Sequence, residues 1–497
     1  IVPWFALIIN VAMIAFWPEG DLTRVLIATG VFALLFSLGG LFLAWKTPQQ
    51  FYWSFLSVVS ALLYYLLGYF RLERWADIPL AADVPAWGVG AGLIAGLFTV
   101  VIYFVLNKMD KQDAHKQSLL AVYLTAITSF VSIGFLIELD REFLSVVFAV
   151  QMLVLSWINN KVSIKSVRSI VATLGVIFLL ILLPQFLLIW EVAVYSLIEY
   201  RVNIINDIPI VRWPWFQLGI PALLFIGVQR QLIRRCDDIL IKIFEVFTII
   251  LLTIMGYYLT RQLFHTPQEV LVVKAGFIER GVITNVILAF ALSCVWVGRR
   301  FSREAVIWSG VVLVGVALFR VGYFDLLISN PVWTQHQVGG WLVANALILP
   351  YLLPVIWSVL LIHLMKPQNI KWLSIALGVV MLVLSFVWVS MNVRQGFHGG
   401  RLDIGVVTDM EIYAYSAVWL LYGGGLLVLG TLRKDRMIRI ASLMVTIFTV
   451  GKVFLYDVSE LDGLYRVVSF LGLGLCLLGV SYFYSRFVFK EEHNHED

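Results

Sequence analysis

Charge is what this chain has least of. Of its 497 residues only 13% are Asp, Glu, Lys or Arg, while 61% are hydrophobic; a soluble domain carries roughly 25% charged residues. With a mean hydropathy of +0.91, that scarcity excludes a soluble catalytic domain and makes the chain an integral membrane protein. Cysteine is nearly missing as well. Cys236 lies in a basic loop, and Cys294 and Cys476 in apolar runs, so neither a disulfide framework nor a metal-ligand spacing follows. No P-loop, G-x-S-x-G elbow or H-E-x-x-H helix occurs, which removes the usual grounds for phosphate-loop, serine-hydrolase or zinc-hydrolase chemistry. No cofactor and no metal is expected. Ile1 to Trp17 has neither the basic flank nor the small-residue cleavage site of a signal peptide. Because the chain starts on Ile and not Met, the numbering is expected to begin partway into a longer one.

Long apolar runs are what the chain has instead. A run of 18 or more apolar residues crosses about 30 Å of hydrocarbon as a helix. Such runs predict membrane helices near Ile1 to Trp17, Val25 to Trp45, Phe51 to Phe70, Ala86 to Leu106, Ser118 to Leu136, Leu144 to Ile158, Ser169 to Trp190 and Trp213 to Val228. They continue at Ile239 to Leu259, Gly281 to Val297, Val306 to Phe319, Trp341 to Met365, Trp372 to Val393, Ile412 to Leu432, Ile438 to Tyr456 and Val467 to Phe489. The expected fold is therefore all-α and polytopic, with about sixteen helices. The Leu144 run is short, and Pro214 and Pro221 predict a kink or a re-entrant path in the Trp213 run.

The connections set an orientation. "NKMDKQDAHKQ", "NNKVSIKSVR", "QRQLIRRCDD", "GRRFSREA", "KPQNIK" and "RKDRMIR" are all even-numbered and all basic, whereas the odd-numbered connections are often longer and more mixed in charge. Short cytoplasmic loops concentrate Lys and Arg, so both ends of the chain are expected in the cytoplasm, including the polar tail at 490–497. That tail reads as a solvated end, with metal capture by His493 and His495 as the alternative. The same loops carry the net charge of +5. Being dispersed along membrane edges, their basic residues form no platform for nucleic acid.

Charges inside or beside apolar runs are the candidates for function. In "KVFLYDVSELDGLYR", Lys452, Asp457, Asp462 and Arg466 fall between two such runs, and "ALFRVGYFDLL" repeats the order as Arg320, Val321 and Asp325. The offset, 452 − 320 = 132, also relates Glu279 to Glu411 and Gly298 to Gly430. It suggests a four-helix unit of about 130 residues used about four times, near 1–106, 107–228, 239–365 and 372–489. In both later units a glutamate opens one helix and a base closes the next, so that both reach the outer face. Ion pairs of Glu279 with Arg320 and of Glu411 with Lys452 are expected to offset the cost of charge near hydrocarbon, about 2.5–3.5 kcal/mol per residue at a helix centre. Two readings stay open: a salt bridge clamping helices, or an outward polar site for a headgroup, sugar or ion. His398 and Arg401, in the glycine-rich "RQGFHGGRLD", mark the loop nearest such a site, and a solvated His398 is the plain alternative.

Other polar residues are expected to serve packing. Asp238, Lys242 and Glu245 fall on one helix at local pairing distances. Gly88, Gly92 and Gly96 form a small-xxx-small stripe suited to close helix contact, and Gln151, Gln185, Asn285 and Asn345 suit interhelical hydrogen bonds.

The run of basic residue, Val and Phe at Lys452 to Phe454, then Asp457, Leu461 to Arg466 and Ser469 to Gly474, resembles the bacterial membrane-protein family catalogued as domain of unknown function 2339. The resemblance is strong over the C-terminal third, and "REAVIWSGVVLVGVALFRVGYFDLL" resembles an upstream part more loosely. It implies a many-helix bacterial inner-membrane protein, commonly preceded by a polar, coiled-coil-like segment, and it brings no established reaction. The leading functional expectation is a non-enzymatic envelope component, a scaffold or a transporter-like protein that holds a membrane lipid or lipid-linked glycan at its outer face, alone or with envelope protein partners. The alternative is a transferase using a lipid-linked donor, with Asp457, Asp462 or Glu411 as base and Arg466 or Lys452 on phosphate.

Overall fold

A computed structural model describes residues 2–17, 22–75, 86–108, 114–161, 166–197, 214–266, 275–366 and 371–453, together with Leu471, Gly474 and Leu478. Among them are fifteen α-helices and no strand. In chain order these are α1 (Val2–Ala15), α2 (Leu22–Lys46), α3 (Gln50–Trp75), α4 (Ala86–Lys108), α5 (Ala114–Glu138), α6 (Arg141–Lys161), α7 (Val167–Leu197) and α8 (Ile220–Ile233). They continue with α9 (Ile239–Gln262), α10 (Phe277–Arg300), α11 (Glu304–Arg320), α12 (Leu352–Met365), α13 (Lys371–His398), α14 (Asp409–Leu432) and α15 (Arg436–Lys452). Thirteen helical spans are long and apolar enough to cross a membrane, and α1 is a shorter apolar helix. Many are apolar all round: Leu93, Val312 and Leu421 are exposed on their surfaces. Hydrocarbon tolerates such faces, provided that every backbone polar group is bonded within the helix. Of the expected span from Val467 to Phe489, all but Leu471, Gly474 and Leu478 lies outside the described residues.

Two expectations change. The short Leu144 run belongs to a full 21-residue helix, α6. Trp341 to Asn345, by contrast, is not helical; a 3-10 turn at Ala346–Ile348 leads into α12. The Trp213 run enters α8 through a π-helical turn at Trp215–Gly219, and Pro221 sits in the first turn of α8, where its missing N–H costs nothing.

The chain divides into two compact units, the first comprising 1–258 and 266–273 and the second 259–265 and 274–497. In the first unit, Leu7, Ile14, Val25, Phe36, Leu56 and Tyr64 form a core shared by α1, α2 and α3. Ser57 donates to the carbonyl of Ser37 at 2.7 Å, and Tyr123 donates to Ser54 at 2.7 Å. Gln217 donates to the carbonyls of Arg141 and Glu142, so the turn before α8 is fastened to the start of α6. Gln151 exchanges hydrogen bonds with Ser132 and Thr128 as expected. Asp238 pairs with Arg168 at 2.9 Å, a partner on another helix.

In the second unit one hairpin is built twice. After Gly298 the amide of Arg303 donates to the Gly298 carbonyl at 2.7 Å, and after Gly430 the amide of Asp435 donates to the Gly430 carbonyl at 2.9 Å. Ser302 and Lys434 take the left-handed conformation at φ 53° and 52°. A Cβ on either glycine would stand about 3 Å from the amide nitrogen of Ile307 or Arg439, so only glycine lets the second helix come so close. Deeper in the hairpins Gly310 lies against the carbonyl of Ala291, and its counterpart Ser442 donates to the carbonyl of Gly423. The residues paired in these comparisons are all 132 apart.

The glycine stripe in α4 is only partly a contact. A Cβ on Gly88 would strike Glu138, whose carboxylate accepts from the Gly88 amide at 2.6 Å, while Gly92 and Gly96 have open space where a Cβ would be. Gly310→Ala is therefore expected to lower stability by about 1–3 kcal/mol through overpacking. Gly92→Ala is expected to stay within about 1 kcal/mol of wild type. Thermal unfolding in detergent distinguishes the two.

Candidate functional site

At one end of the second unit, helix termini, two loops and most of its buried charge meet. Glu279 occupies the third position of α10, where a carboxylate satisfies free amides and favours the positive end of the helix dipole; its Oε2 accepts from the Gly276 amide at 3.2 Å. Arg261, in the last turn of α9, and His265, in the turn just past its end, face it. Arg261 Nη1 donates to Glu279 Oε1 at 2.7 Å, and His265 Nε2 lies 2.9 Å from Oε2. Arg261 and Glu279 are both buried.

The arrangement recurs between α13 and α14. Glu411 is the third residue of α14 behind the Thr408 cap, whose hydroxyl accepts from the Glu411 amide. Arg394 Nη1 donates to its Oε1 at 3.2 Å, His398 Nε2 is 2.7 Å from Oε2, and the Tyr415 hydroxyl donates to Oε1 at 3.3 Å. Glu411 has 0% exposure. Arg394 also donates through Nε to the carbonyl of Leu402 at 2.6 Å, which holds the following loop against the clamp. A Cβ on Gly405, at φ 98°, would strike the His398 ring.

A third cluster adjoins the first. Arg280 Nε lies 3.4 Å from Asp325 Oδ1, and its other nitrogens reach the carbonyls of Ala275 and Ser329 and the ring nitrogen of His336. Asp325 lies in a π-helical continuation of α11, Val321–Ile328, and Tyr351 donates to its backbone carbonyl at 2.7 Å. Arg320 adds a second positive charge beside Asp325, and its guanidinium lies 5.6 Å from the Phe324 ring centroid.

Above these clusters the segments 329–345 and 399–408 join. Gln337 and Arg401 form an antiparallel bridge, and the Val338 amide donates to the Gly400 carbonyl at 2.9 Å. From α13, Gln395 donates to the carbonyls of Gly339 and Trp341. Asn392 accepts from the Val343 amide at 3.1 Å and from Asn345 at 2.8 Å, and Asn345 also bonds Gln395. Val343 stands at φ 70°, a rare conformation for a β-branched residue, with its amide held on Asn392. Beneath lie Phe277, Val338, Leu347, Tyr351 and Leu402. The two segments expose several large apolar side chains, Trp341 at 80% and Val406 at 86% with Trp333, Leu342 and Ile404, alongside the polar Gln335, Gln337 and Thr408. The charged group among them is Arg401, 40% exposed and paired with Asp403 at 2.7 Å. That bond holds the Asp403 carboxyl below the usual range. With its folded value depressed, the tie contributes at and above neutral pH and fades only as acid carries the solution through that value.

Glutamate and base do arrive at the same end of each hairpin, but their expected pairing changes. Glu279 is taken by Arg261 and His265, where Arg320 was expected; Glu411 is taken by Arg394 and His398, where Lys452 was expected. The reason is reach: the last turn of the preceding helix lies directly against the first turn of the glutamate helix. Lys452 lands one turn further along α14, donating to the Ile412 carbonyl and the Ser416 hydroxyl at 2.7 and 2.6 Å. His398 is engaged with Glu411 and not solvated. Asn285 accepts from Trp357 and donates to the Leu349 carbonyl, as an interhelical bridge should; Gln185 Oε1 is buried with no partner among the described residues. Asp457, Asp462 and Arg466 lie outside the described residues. Arg261, His265, Arg280, Arg394 and His336 were not anticipated, although "RQLFH" at 261–265 and "RQGFH" at 394–398 repeat almost letter for letter. Among the described residues no group of three or more His, Cys, Asp or Glu gathers to hold a metal.

Removing one partner of a buried pair leaves the other charge uncompensated, at about 3–5 kcal/mol. Glu411→Ala is expected to destabilise by that amount, and His398→Ala by about 1–3 kcal/mol, the loss of one buried hydrogen bond. Arg394→Ala combined with Glu411→Ala is expected to cost less than the sum of the two. Equilibrium unfolding in detergent measures all three.

The family described as Predicted membrane protein (DUF2339) matches residues 2–487, nearly the whole chain. No curated protein and no solved structure matches. Many apolar helices and that match together place the chain in a membrane as a multi-pass protein, and it belongs to the DUF2339 family of membrane proteins.

Proposed function

We propose that this protein is a non-enzymatic component of the bacterial inner membrane that holds a lipid headgroup or lipid-linked glycan against the joined loops of its second unit, at the outer face. One observation carries this reading: the buried charges at that end are spent on one another, while the loops they fasten expose aromatic and aliphatic side chains beside Arg401. Exposed Trp side chains suit the boundary between headgroups and hydrocarbon, and a guanidinium suits phosphate. Glu411, a base in the enzymatic alternative, is enclosed and bonded to Arg394, His398 and Tyr415, so it is committed to the clamp. The basic even-numbered loops support an orientation in which this end faces outward. Envelope protein partners would meet the same loops.

Native mass spectrometry of the purified protein tests the reading through its co-purifying lipids. Trp341→Ala is expected to keep the wild-type melting temperature, Arg401→Ala to lower it only slightly through the lost tie to Asp403, and both to lose a lipid or glycolipid that wild type retains. Unchanged retention in both variants would overturn it.

A further inference from the structure

We infer that the first unit has a seat of its own for one acyl chain of an anionic phospholipid, in a groove between α2 and α4 with Lys46 at its mouth. The groove has a volume of about 450 Å³, and its walls include Leu41, Phe42 and Trp45 of α2 and Leu97, Val100 and Phe104 of α4. From Leu97 to Phe104 the groove follows α4 for about 10 Å. One leaflet of hydrocarbon is about 15 Å deep, half the bilayer core, so the groove accompanies one chain through much of a leaflet.

Its two ends differ, and the difference points to the ligand. Trp45 meets Phe104 edge-on at 6.3 Å between ring centroids, at the end where α2 stops. There Lys46 Nζ stands 4.6 Å from the Phe42 ring centroid, on an exposed side chain at the last residue of the helix. Two helix C-termini at this end would by themselves repel an anion. Lys116 offsets that at α4 by donating to the Leu106 carbonyl at 3.1 Å, and Lys46 offsets it at α2. An apolar groove that ends at an aromatic pair and an exposed ammonium fits an acyl chain followed by a phosphate. The groove uses no residue of the second unit, so it stands or falls separately from the proposed function.

The test compares phosphatidylglycerol with phosphatidylcholine of identical chains, added to delipidated protein in detergent and followed by native mass spectrometry. Wild type is expected to retain phosphatidylglycerol preferentially. A basic side chain near an anionic surface is worth about a fivefold change in affinity, so Lys46→Gln is expected to lower phosphatidylglycerol retention by about that factor while leaving phosphatidylcholine unchanged. Val100→Trp, which fills the groove from an exposed position, is expected to lower retention of both. If it fails to fold, Leu97→Trp fills the same wall, and lipid-free melting temperature checks each variant. Equal retention of the two lipids by wild type, or retention unaffected by Lys46→Gln or by the filled groove, would overturn the inference.

Discussion

A buried carboxylate held by an arginine and a histidine from the preceding helix is the interaction on which the second unit depends. Charge near hydrocarbon is costly, and an unpaired buried charge is costlier than either the pair or an apolar substitute. Glu279 and Glu411 meet that constraint by standing where a helix wants negative charge, and by receiving both donors from one helical turn. Each clamp also fixes the angle at which one helix hands over to the next, because its members come from the end of one and the start of another.

The loops inherit their order from this. Arg394 holds Leu402, Gln395 holds Gly339 and Trp341, and the bridge between Gln337 and Arg401 ties the two segments together. Arg394 and Gln395 are consecutive, so one turn of α13 fastens Glu411 on one side and the neighbouring segment on the other. Val343 at positive φ fits the same picture: a conformation that would relax in a free loop is kept by Asn392. Strain of this sort persists only where its surroundings over-determine it. Under the proposed function, an apolar surface presented on so constrained a backbone would meet its ligand without first being ordered, which favours affinity.

Much of this was legible beforehand. Helix number and placement followed from apolar run length, because a membrane span must be long and apolar whatever its neighbours are. The 132-residue offset identified Glu279 and Glu411 as equivalents, and the hairpin turns at Gly298 and Gly430 repeat in their hydrogen bonds and backbone angles. Partner choice was not legible from the offset alone. The stretch from His398 to Glu411 is one residue shorter than that from His265 to Glu279, so the Arg and His of the two clamps lie 133 apart and escape a search at fixed spacing. Trp341 to Asn345 read as helix because it is apolar; its actual path depends on Asn392 and Gln395, some fifty residues on. The α4 glycines failed for a related reason. Spacing shows that a face is smooth, and only the neighbouring helix decides whether anything lies on it.

Amide hydrogen exchange read by mass spectrometry, comparing wild type with Glu411→Gln, tests the central claim most directly. If the clamp orders the loops, exchange across 399–408 and at 337–339 speeds up in the variant, while the middles of α13 and α14 stay protected. Loop protection unchanged in the variant, or lost uniformly along both helices, would contradict the account.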